Sequence, residues 1–265
     1  MYAFDYHKPS SVADAVSALS GASDGKFVAG GMTLIPTMKQ RLASPSDIVD
    51  LNGIGELKGI REDGDALVIG AMATHAEVAS SDVVKRVIPA LAVLAEWIGD
   101  AQVRNRGTLG GSIANNDPTA DYPAAVLALD ATVQTSKRTI AAADFFQGLF
   151  TTALEEDELI LAVRFPKPEK AAYMKFRNPA SRYAMVGVMV AKTTNGIRVA
   201  VTGAGQDGVF RATEMERALE NDFSEDALKG VAIDPGGLNA DIHGSAAYRA
   251  NLVNVMARRA VAACR

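Results

Sequence analysis

The feature that most constrains this chain is a pair of glycines inside a run of small polar residues. The run from Arg104 to Pro123 reads RNRGTLGGSIANNDPTADYP and carries Gly110 and Gly111 side by side. Because glycine has no Cβ, another molecule can approach the backbone there, and amide N–H groups can bind an anion. The neighbouring hydroxyl and amide side chains, with the carboxylates of Asp117 and Asp121, can bond sugar-like hydroxyl groups. The segment therefore suits a phosphorylated polyol.

A purely structural interpretation of the same segment is a turn in which Asp121 caps the following helix. Aspartate is a favoured N-cap residue, and the apolar run from Ala124 to Leu129 begins shortly after it. A single glycine turn is compatible with both a ligand-binding loop and a structural turn. A second glycine pair earlier in the chain favours binding.

The second pair, Gly30 and Gly31, lies in KFVAGGMTLIPTMKQRL. The residues from Phe27 to Ala29 read as a short buried strand, and Thr33 reads as the N-cap of a helix that continues to Leu42. A strand, a glycine turn and a helix N-terminus together form an anion site, because free amide N–H groups and the helix dipole face the same point. Two such sites in one chain predict that both phosphates of a dinucleotide are held.

The two motifs resemble those of a known protein family. AGGMTLIP with MKQRL, and then QVRNRGTLGGSIANNDPTADYPAAVLALDA, are similar to the two FAD-binding loops of the medium, flavin-carrying subunit of molybdenum hydroxylases. Carbon monoxide dehydrogenase and xanthine dehydrogenase belong to that group. The likeness covers nearly the whole chain, from FDYHKP at the start, through KFRNPASRYAMVGV, to the helical end.

The resemblance implies a fold and a function. The fold is α+β, with a two-part FAD-binding domain of the PCMH or vanillyl-alcohol-oxidase type and a small C-terminal α+β domain. The function is that of an FAD-dependent oxidoreductase subunit, which takes electrons from the [2Fe–2S] clusters of a small partner subunit and passes them to an external acceptor. A large partner subunit would carry the molybdenum-pterin cofactor, and the assembly would be a dimer of heterotrimers.

The resemblance also implies roles for individual positions. Two loops would hold the pyrophosphate, largely through backbone N–H groups: Ala29, Gly30, Gly31, Met32, Thr33 and Leu34 in the first, and Thr108, Leu109, Gly110, Gly111 and Ser112 in the second. Asn115 would lie near the flavin, Asp121 would bond the ribityl chain and Ile160 would pack beside the cofactor. Lys175 would reach the flavin or its polar rim, and Tyr183 would cover a ring face. The structural alternatives are a solvated strand residue for Lys175 and a domain-interface aromatic for Tyr183.

Chain length and a polar joint predict two domains. A chain of 265 residues is long enough for two hydrophobic cores, and PKPEK at 166–170 forms a proline-containing linker. We therefore expect domains at 1–166 and 170–265, and the resemblance implies a PCMH-type FAD-binding domain for the first and a carbon monoxide dehydrogenase flavoprotein-like domain for the second. In the second, three apolar runs predict a three-stranded antiparallel sheet: Ala171 to Phe176, Ala184 to Ala191 and Ile197 to Thr202. Asn195-Gly196 predicts the hairpin between the last two.

Two helical signals fall between the glycine segments. Thr74 and Glu77 form a capping box, which places His75 in the first turn of a short helix and favours a structural role for it. A longer helix is predicted from Val83 to Ile98.

A third glycine pattern does not predict a Rossmann fold. Gly203, Gly205 and Gly208 match the GxGxxG fingerprint, but that fingerprint requires a helix that starts within the glycine turn and leads to a parallel strand. Thr213 and Glu216 instead form a capping box several residues further on.

Composition excludes several classes of function. The net charge is −4 and no long basic run is present, so we expect no nucleic-acid partner. No stretch has the roughly 18 apolar residues of a membrane span, which favours a cytoplasmic protein. A single cysteine, Cys264, and three dispersed histidines predict neither an iron–sulfur cluster nor another metal site in this chain. No catalytic side chain is predicted, since flavin performs the redox chemistry itself.

Two other functions stay open on the sequence. One is a free-standing FAD-dependent oxidoreductase, against which the absence of a dedicated substrate domain argues. The other is a non-catalytic assembly subunit that has lost FAD, against which the intact glycine pairs and Asp121 argue. Copurifying iron–sulfur and molybdenum subunits would distinguish the predicted function from both.

Overall fold

The computed structural model describes residues 1–264 as a mixture of helices and strands, as expected for an α+β protein. The strands are β1 Asp5–His7, β2 Gly25–Val28, β3 Asp47–Asp50, β4 Ile60–Asp63, β5 Ala66–Gly70, β6 Thr132–Thr135, β7 Thr139–Ala141, β8 Phe146–Gly148, β9 Thr151–Thr152, β10 Ile160–Pro166, β11 Lys170–Arg177, β12 Ala184–Thr193, β13 Gly196–Thr202 and β14 Phe210–Arg211. The helices are α1 Val12–Ser20, α2 Leu34–Lys39, α3 His75–Ser80, α4 Asp82–Val87, α5 Pro89–Glu96, α6 Ala101–Arg104, α7 Leu109–Asn115, α8 Tyr122–Ala128, α9 Ala142–Phe145, α10 Thr213–Asn221 and α11 Ala246–Ala263.

The first sheet is parallel, with the strand order β1, β3, β2. Helix α1 begins after Ser11, whose hydroxyl accepts the amide N–H of Asp14. Ala15 and Leu19 of this helix pack in one cluster with Val49 of β3. The helix thereby covers apolar side chains that a parallel sheet must bury.

The second sheet is antiparallel, with the strand order β4, β5, β10, β6, β7. Its central strand β10 joins β5 to β6, although the helices α3 to α8 lie between β5 and β6 in the chain. Leu67 and Val163 of this sheet share one core with Leu91 of α5 and Val126 of α8. The helices that follow β5 are therefore held against the sheet, together with the glycine segment between them.

The long helix predicted from Val83 to Ile98 is divided into α4 and α5. Pro89 lacks an N–H and disfavours helical backbone at the residue before it. Ile88 accordingly adopts φ −139° and ψ 75°, and Pro89 opens the next helix. The prediction of one continuous helix was wrong because the effect of this proline was not considered.

The third sheet has a central strand whose two faces are both covered. Val186, Val188 and Val190 of β12 belong to the core beneath α11, whereas Met189 and Ala191 belong to the core shared with the second sheet. Because alternate side chains of a strand point to opposite faces, a strand buried on both sides reads as a continuous apolar run. The third sheet thus joins the two halves of the molecule.

This sheet contains four strands, not the three predicted. The order is β11, β12, β13, β14, all antiparallel, and the hairpin at Asn195-Gly196 joins β12 to β13 as predicted. Strand β14 pairs through only two residues, Phe210 and Arg211, which is too short for an apolar pattern to reveal.

The antiparallel pairing of β13 also excludes a Rossmann unit at the third glycine pattern. The predicted capping box at Thr213 and Glu216 is absent, and Ala212 precedes α10 without a side-chain cap. Glu216 is instead buried, where it accepts hydrogen bonds from the amide of Val199 and the guanidinium of Arg211.

Two negative observations apply to residues 1–264. No helix there combines the length and apolar character needed to cross a bilayer. No cluster of three or more histidine, cysteine, aspartate or glutamate side chains there is arranged to hold a metal ion.

Candidate functional site

One large cavity, of about 1170 Å³, lies where the loops of the first two sheets meet the start of the third. Its walls come from residues 25–34, 107–121, 154–160 and 180–183, with single contributions from elsewhere. The structure places fifteen of the sixteen predicted site residues on these walls: Ala29, Gly30, Gly31, Met32, Thr33, Leu34, Thr108, Gly110, Gly111, Ser112, Asn115, Asp121, Ile160, Lys175 and Tyr183.

Leu109 is the predicted site residue that does not line the cavity. Its side chain is fully buried in the core that the second sheet shares with helices α3, α5 and α8. Its amide N–H donates to the carbonyl oxygen of Ala73 at 3.0 Å. Neither group can therefore contact a molecule in the cavity.

The amides of Gly110, Gly111 and Ser112 also have protein acceptors. The N–H of Gly110 donates to Ala71 O at 2.8 Å, and that of Gly111 to the hydroxyl of Thr108 at 3.1 Å. The N–H of Ser112 donates to Thr108 O at 3.0 Å. At these positions the expectation of free N–H groups does not match the contacts, because Thr108 caps α7 and the residues that follow β5 accept the remaining bonds.

The first glycine segment differs because its backbone amides lack protein acceptors in the part of the chain that the structure describes. Within residues 1–264, the amides from Gly30 to Leu34 donate to no protein acceptor. Thr33 precedes α2 as predicted, but its side chain does not cap the helix, which ends at Lys39 and not at Leu42. Five consecutive amides beside the cavity are therefore free to bind a ligand, and an anion is the ligand that such a run favours.

Close backbone contact explains why glycine occupies positions 30 and 110. A Cβ on Gly30 would stand 2.0 Å from the carbonyl oxygen of Arg106, and one on Gly110 would stand 2.8 Å from that of Ala71. Both distances are below van der Waals contact. These two glycines allow protein segments to approach each other, and this packing fixes the cavity wall. The sequence had instead suggested that a ligand approaches the backbone at both glycine pairs.

Asp121 and Lys175 form a buried ion pair on the cavity wall. Lys175 Nζ donates to Asp121 Oδ2 at 2.9 Å and to the carbonyl oxygen of Trp97 at 3.1 Å, and the Tyr173 hydroxyl donates to Asp121 Oδ1. Burial raises the pKa of Asp121, and the positive charge of Lys175 opposes that rise. Lys175 is therefore not a solvated strand residue, and although Asp121 is at the N-cap position of α8, its side chain makes no capping bond.

The sequence interpretation missed Tyr173, although a signal was present. Tyr173 and Lys175 lie two residues apart on β11, so their side chains share a face of the strand. A tyrosine at that spacing from a predicted site lysine is a candidate partner for the same carboxylate.

Tyr183 lies at the mouth of the cavity with 53% of its surface exposed. Partial burial raises the pKa of its hydroxyl, and the charges of Asp117 and Asp121 act in the same direction. Its position at the rim is not that of an aromatic buried between domains. A planar ligand that enters the cavity would meet this ring.

His75 is a second residue whose position the sequence did not reveal. It begins α3 inside the predicted capping box, which is present, but its side chain is buried on the cavity wall. Burial lowers the pKa of His75 to about 4, and the positive charge of Arg104 contributes to the decrease. The ring is therefore neutral at neutral pH.

The acidic stretch from Glu155 to Glu158 borders the cavity, and two basic side chains offset part of the charge of its four carboxylates. Lys137 pairs with Glu155 and Asp157, and Arg138 pairs with Glu158. Burial by itself would raise the pKa of Glu158, but hydrogen bonds from Arg138, Thr135 and the backbone lower it to about 2. Repulsion of an anionic ligand by this wall is correspondingly reduced.

Comparison with known proteins identifies the family. A family model described as the FAD binding domain in molybdopterin dehydrogenase matches residues 2–168. The chain belongs to this family, which confirms the resemblance inferred from the two glycine motifs.

Relatives extend the match to nearly the whole chain. The carbon monoxide dehydrogenase medium chain of Hydrogenophaga pseudoflava is 37% identical, over 97% of this chain and 96% of that protein. The nicotine 6-hydroxylase medium subunit of Paenarthrobacter nicotinovorans is 36% identical, over 98% and 96% of the two chains. In the solved structure of the Hydrogenophaga pseudoflava carbon monoxide dehydrogenase, one chain is similar with a TM-score of 0.88, which covers 99% of this chain and 97% of that one.

Proposed function

We propose that this chain binds FAD in the large cavity and serves as the flavoprotein subunit of a molybdenum hydroxylase complex. The observation that carries the proposal is the run of five free amides from Gly30 to Leu34 on the wall of a cavity of about 1170 Å³. A cavity of this size exceeds the common range for small ligands and suits an extended dinucleotide. The family match and the relatives support the same cofactor.

The residues on the walls fit the parts of FAD. The amides after Gly30 would hold the pyrophosphate. Asp121 is engaged by Tyr173 and Lys175, but each carboxylate oxygen keeps a lone pair with which it would accept a bond from a ribityl hydroxyl. Lys175 and Asn115 would lie near the flavin, Ile160 would pack beside it, and Tyr183 would cover a ring face from the rim.

The two glycine segments would then have different tasks. The first contacts the anion, whereas the second contributes Gly111, Ser112 and Asn115 to the wall and supports the first through the backbone of Arg106 and Gly107. Bound FAD supplies the redox chemistry, and the chain's contribution is to hold, orient and shield it.

Partner subunits complete the proposed function. We propose that a small subunit with [2Fe–2S] clusters delivers electrons to FAD here, that a large molybdenum-pterin subunit oxidises the substrate, and that the flavin passes electrons to an external acceptor. The relatives' designation as medium chains or subunits supports such a complex. A dimer of heterotrimers in the cytoplasm, and a division of the chain into 1–166 and 170–265, belong to the same proposal.

The substrate of the complex is left open by this proposal. The relatives' names specify carbon monoxide, nicotine and glyceraldehyde, although all three proteins match this chain over nearly its full length. A medium subunit of one overall form therefore accompanies different substrates.

An absorption spectrum of the purified protein tests the proposal. We expect flavin bands at about one FAD per chain in the wild type, and their loss in Ser112→Trp, whose side chain would fill the cavity. Gly55→Trp is the matched control, because no atom lies within 4 Å of a Cβ there and the position is outside the cavity. If the complex isolated with its partner subunits contains no flavin, the proposal is wrong.

A further inference from the structure

His75 is a buried side chain on the cavity wall whose ring nitrogens lack protein partners. Only 5% of the residue is exposed. Within residues 1–264 neither ring nitrogen makes a hydrogen bond, and of the two only Nδ1 is fully enclosed. Buried polar groups in native proteins nearly always have partners. Nε2 is not fully enclosed, so it is the ring nitrogen that a molecule in the cavity can reach.

The position of Nε2 is defined by the two glycine segments. It lies 2.6 Å from the point at which a Cβ would stand on Gly107. The same glycine is packed against Gly30, and its carbonyl oxygen accepts the backbone N–H of His75 at 3.0 Å. Nε2 is consequently close to the place where the first and second glycine segments meet, beside the run of free amides.

The protonation of the ring follows from its surroundings. Burial and the charge of Arg104 keep it neutral, so it carries one N–H. A proton on Nδ1 would be a fully enclosed donor without an acceptor, which is a costly arrangement. The tautomer protonated on Nε2 is the one that can donate to a molecule in the cavity. The ring of Tyr122, with its centroid 5.4 Å away and tilted by 46°, limits the orientation of the imidazole.

We propose that the Nε2–H group of His75 donates a hydrogen bond to a phosphate oxygen of the bound dinucleotide. His75 is then a further cofactor-binding residue, outside both glycine loops, and this inference rests on the proposed function. The Nε2–H donor of His75 carries no net charge, and neither do the backbone amides beside it. The pyrophosphate is therefore held at this point by neutral hydrogen-bond donors. The short helix α3 supplies the residue, and Gly107 leaves the space for its ring.

Three variants test this role. His75→Phe keeps an aromatic ring in the same space but removes the donor, and we expect the Kd for FAD to rise about tenfold. His75→Gln restores an N–H donor and should bind FAD more tightly than His75→Phe. Tyr122→Phe is the control, because it removes a neighbouring buried hydroxyl that has no partner and is not on the cavity wall. Affinity is measured by fluorescence titration, and phosphorus NMR of bound FAD reports the phosphate environment.

The outcomes separate this inference from the proposed function. Weaker binding and shifted phosphorus resonances in His75→Phe, with neither change in Tyr122→Phe, would support it. A wild type that binds FAD and a His75→Phe variant with unchanged affinity would overturn the inference alone. Weaker binding with unchanged phosphorus resonances would exclude the phosphate as acceptor. A wild-type complex without flavin would overturn both proposals.

Discussion

Lys175 and Asp121, which are 54 positions apart in the chain, form an ion pair at 2.9 Å between Nζ and Oδ2. The exposed fractions of their side chains are 0% and 4%. The pair joins β11 of the third sheet to the residue that precedes α8. A charge at either position is tolerated in this interior only because the other is present.

Removal of one partner should destabilise the protein strongly. Lys175→Met leaves a buried carboxylate without its cation, and we expect a loss of about 3–5 kcal/mol in the free energy of unfolding. Adding Asp121→Asn to that variant should recover part of the loss. Urea unfolding of the FAD-free chain measures both effects, and strictly additive changes would contradict the coupling. The exposed pair of Lys192 and Glu169 provides the control, since Lys192→Met should have a much smaller effect.

Alanine at the two tightly packed glycines should damage the cavity wall. Gly30→Ala and Gly110→Ala would force apart backbone segments that touch, and we expect each to cost about 1–3 kcal/mol or more in unfolding free energy. Gly55→Ala, which has free space around it, should leave stability almost unchanged. Thermal unfolding of the three variants measures the difference. Equal effects at all three positions would show that close packing is not the cause.

Burial of His75 should make stability depend on pH below neutrality. The pKa is 6.5 in an unfolded chain and about 4 in the folded one, so the unfolded state binds a proton first as the pH falls. The contribution of His75 to stability is thus fully present above pH 6.5 and is lost as the pH falls towards 4. The difference between the two pKa values corresponds to about 3 kcal/mol in the free energy of unfolding. Between these pH values, urea unfolding should show that His75→Phe loses stability less steeply than the wild type.

Asn116 should control the mobility of the hairpin formed by β8 and β9. Its side-chain Nδ2 donates to the carbonyl oxygens of Gly148 and Thr151, both at 2.8 Å, and its own backbone has φ 43°. Asn116→Gly permits that backbone conformation but removes both bonds, and we expect a loss of about 1–3 kcal/mol. Amide exchange at residues 146–152 should accelerate.

A second variant separates the backbone effect from these hydrogen bonds. Asn116→Ala removes the same bonds and adds the strain of a left-handed backbone, about 1–2 kcal/mol. It should therefore be less stable than Asn116→Gly. Unchanged exchange in both variants would show that the hairpin is held by other contacts.

Several elements could be read from the sequence because their signals are local. The capping box of Thr74 and Glu77 requires only residues three positions apart, and the apolar run of β12 reflects burial on both faces. The hairpin at Asn195-Gly196 is specified by the backbone preferences of two residues. The two glycine segments were recognised as parts of one site because their motifs resemble those of a family, and the family match confirms that membership.

The sequence interpretation failed where a residue's role depends on a distant neighbour. Glu216 has the spacing of a capping residue, but its carboxylate accepts the amide N–H of Val199, which lies 17 positions earlier on β13. His75 has the position of a helix-start residue, yet the packing of Gly107 and Tyr122 places its ring on the cavity wall. Val199, Gly107 and Tyr122 lie too far along the chain from these residues for a short-range pattern to include them.

The sequence by itself determined the apolar strands of the third sheet, the helix starts after Thr33 and Thr74, the hairpin and the two glycine segments, because backbone preference and side-chain periodicity act over a few residues. Only the tertiary structure decided which amides are free. Both segments read as anion sites, but the N–H of Gly110 finds an acceptor in Ala71, whereas those following Gly30 find none among residues 1–264. The same is true of Asp121, which resembles a helix cap in sequence and becomes the partner of Lys175 only when the third sheet packs against α8. Hydrogen bonds and ion pairs are made between groups within a few ångströms, and the folded chain alone sets those distances.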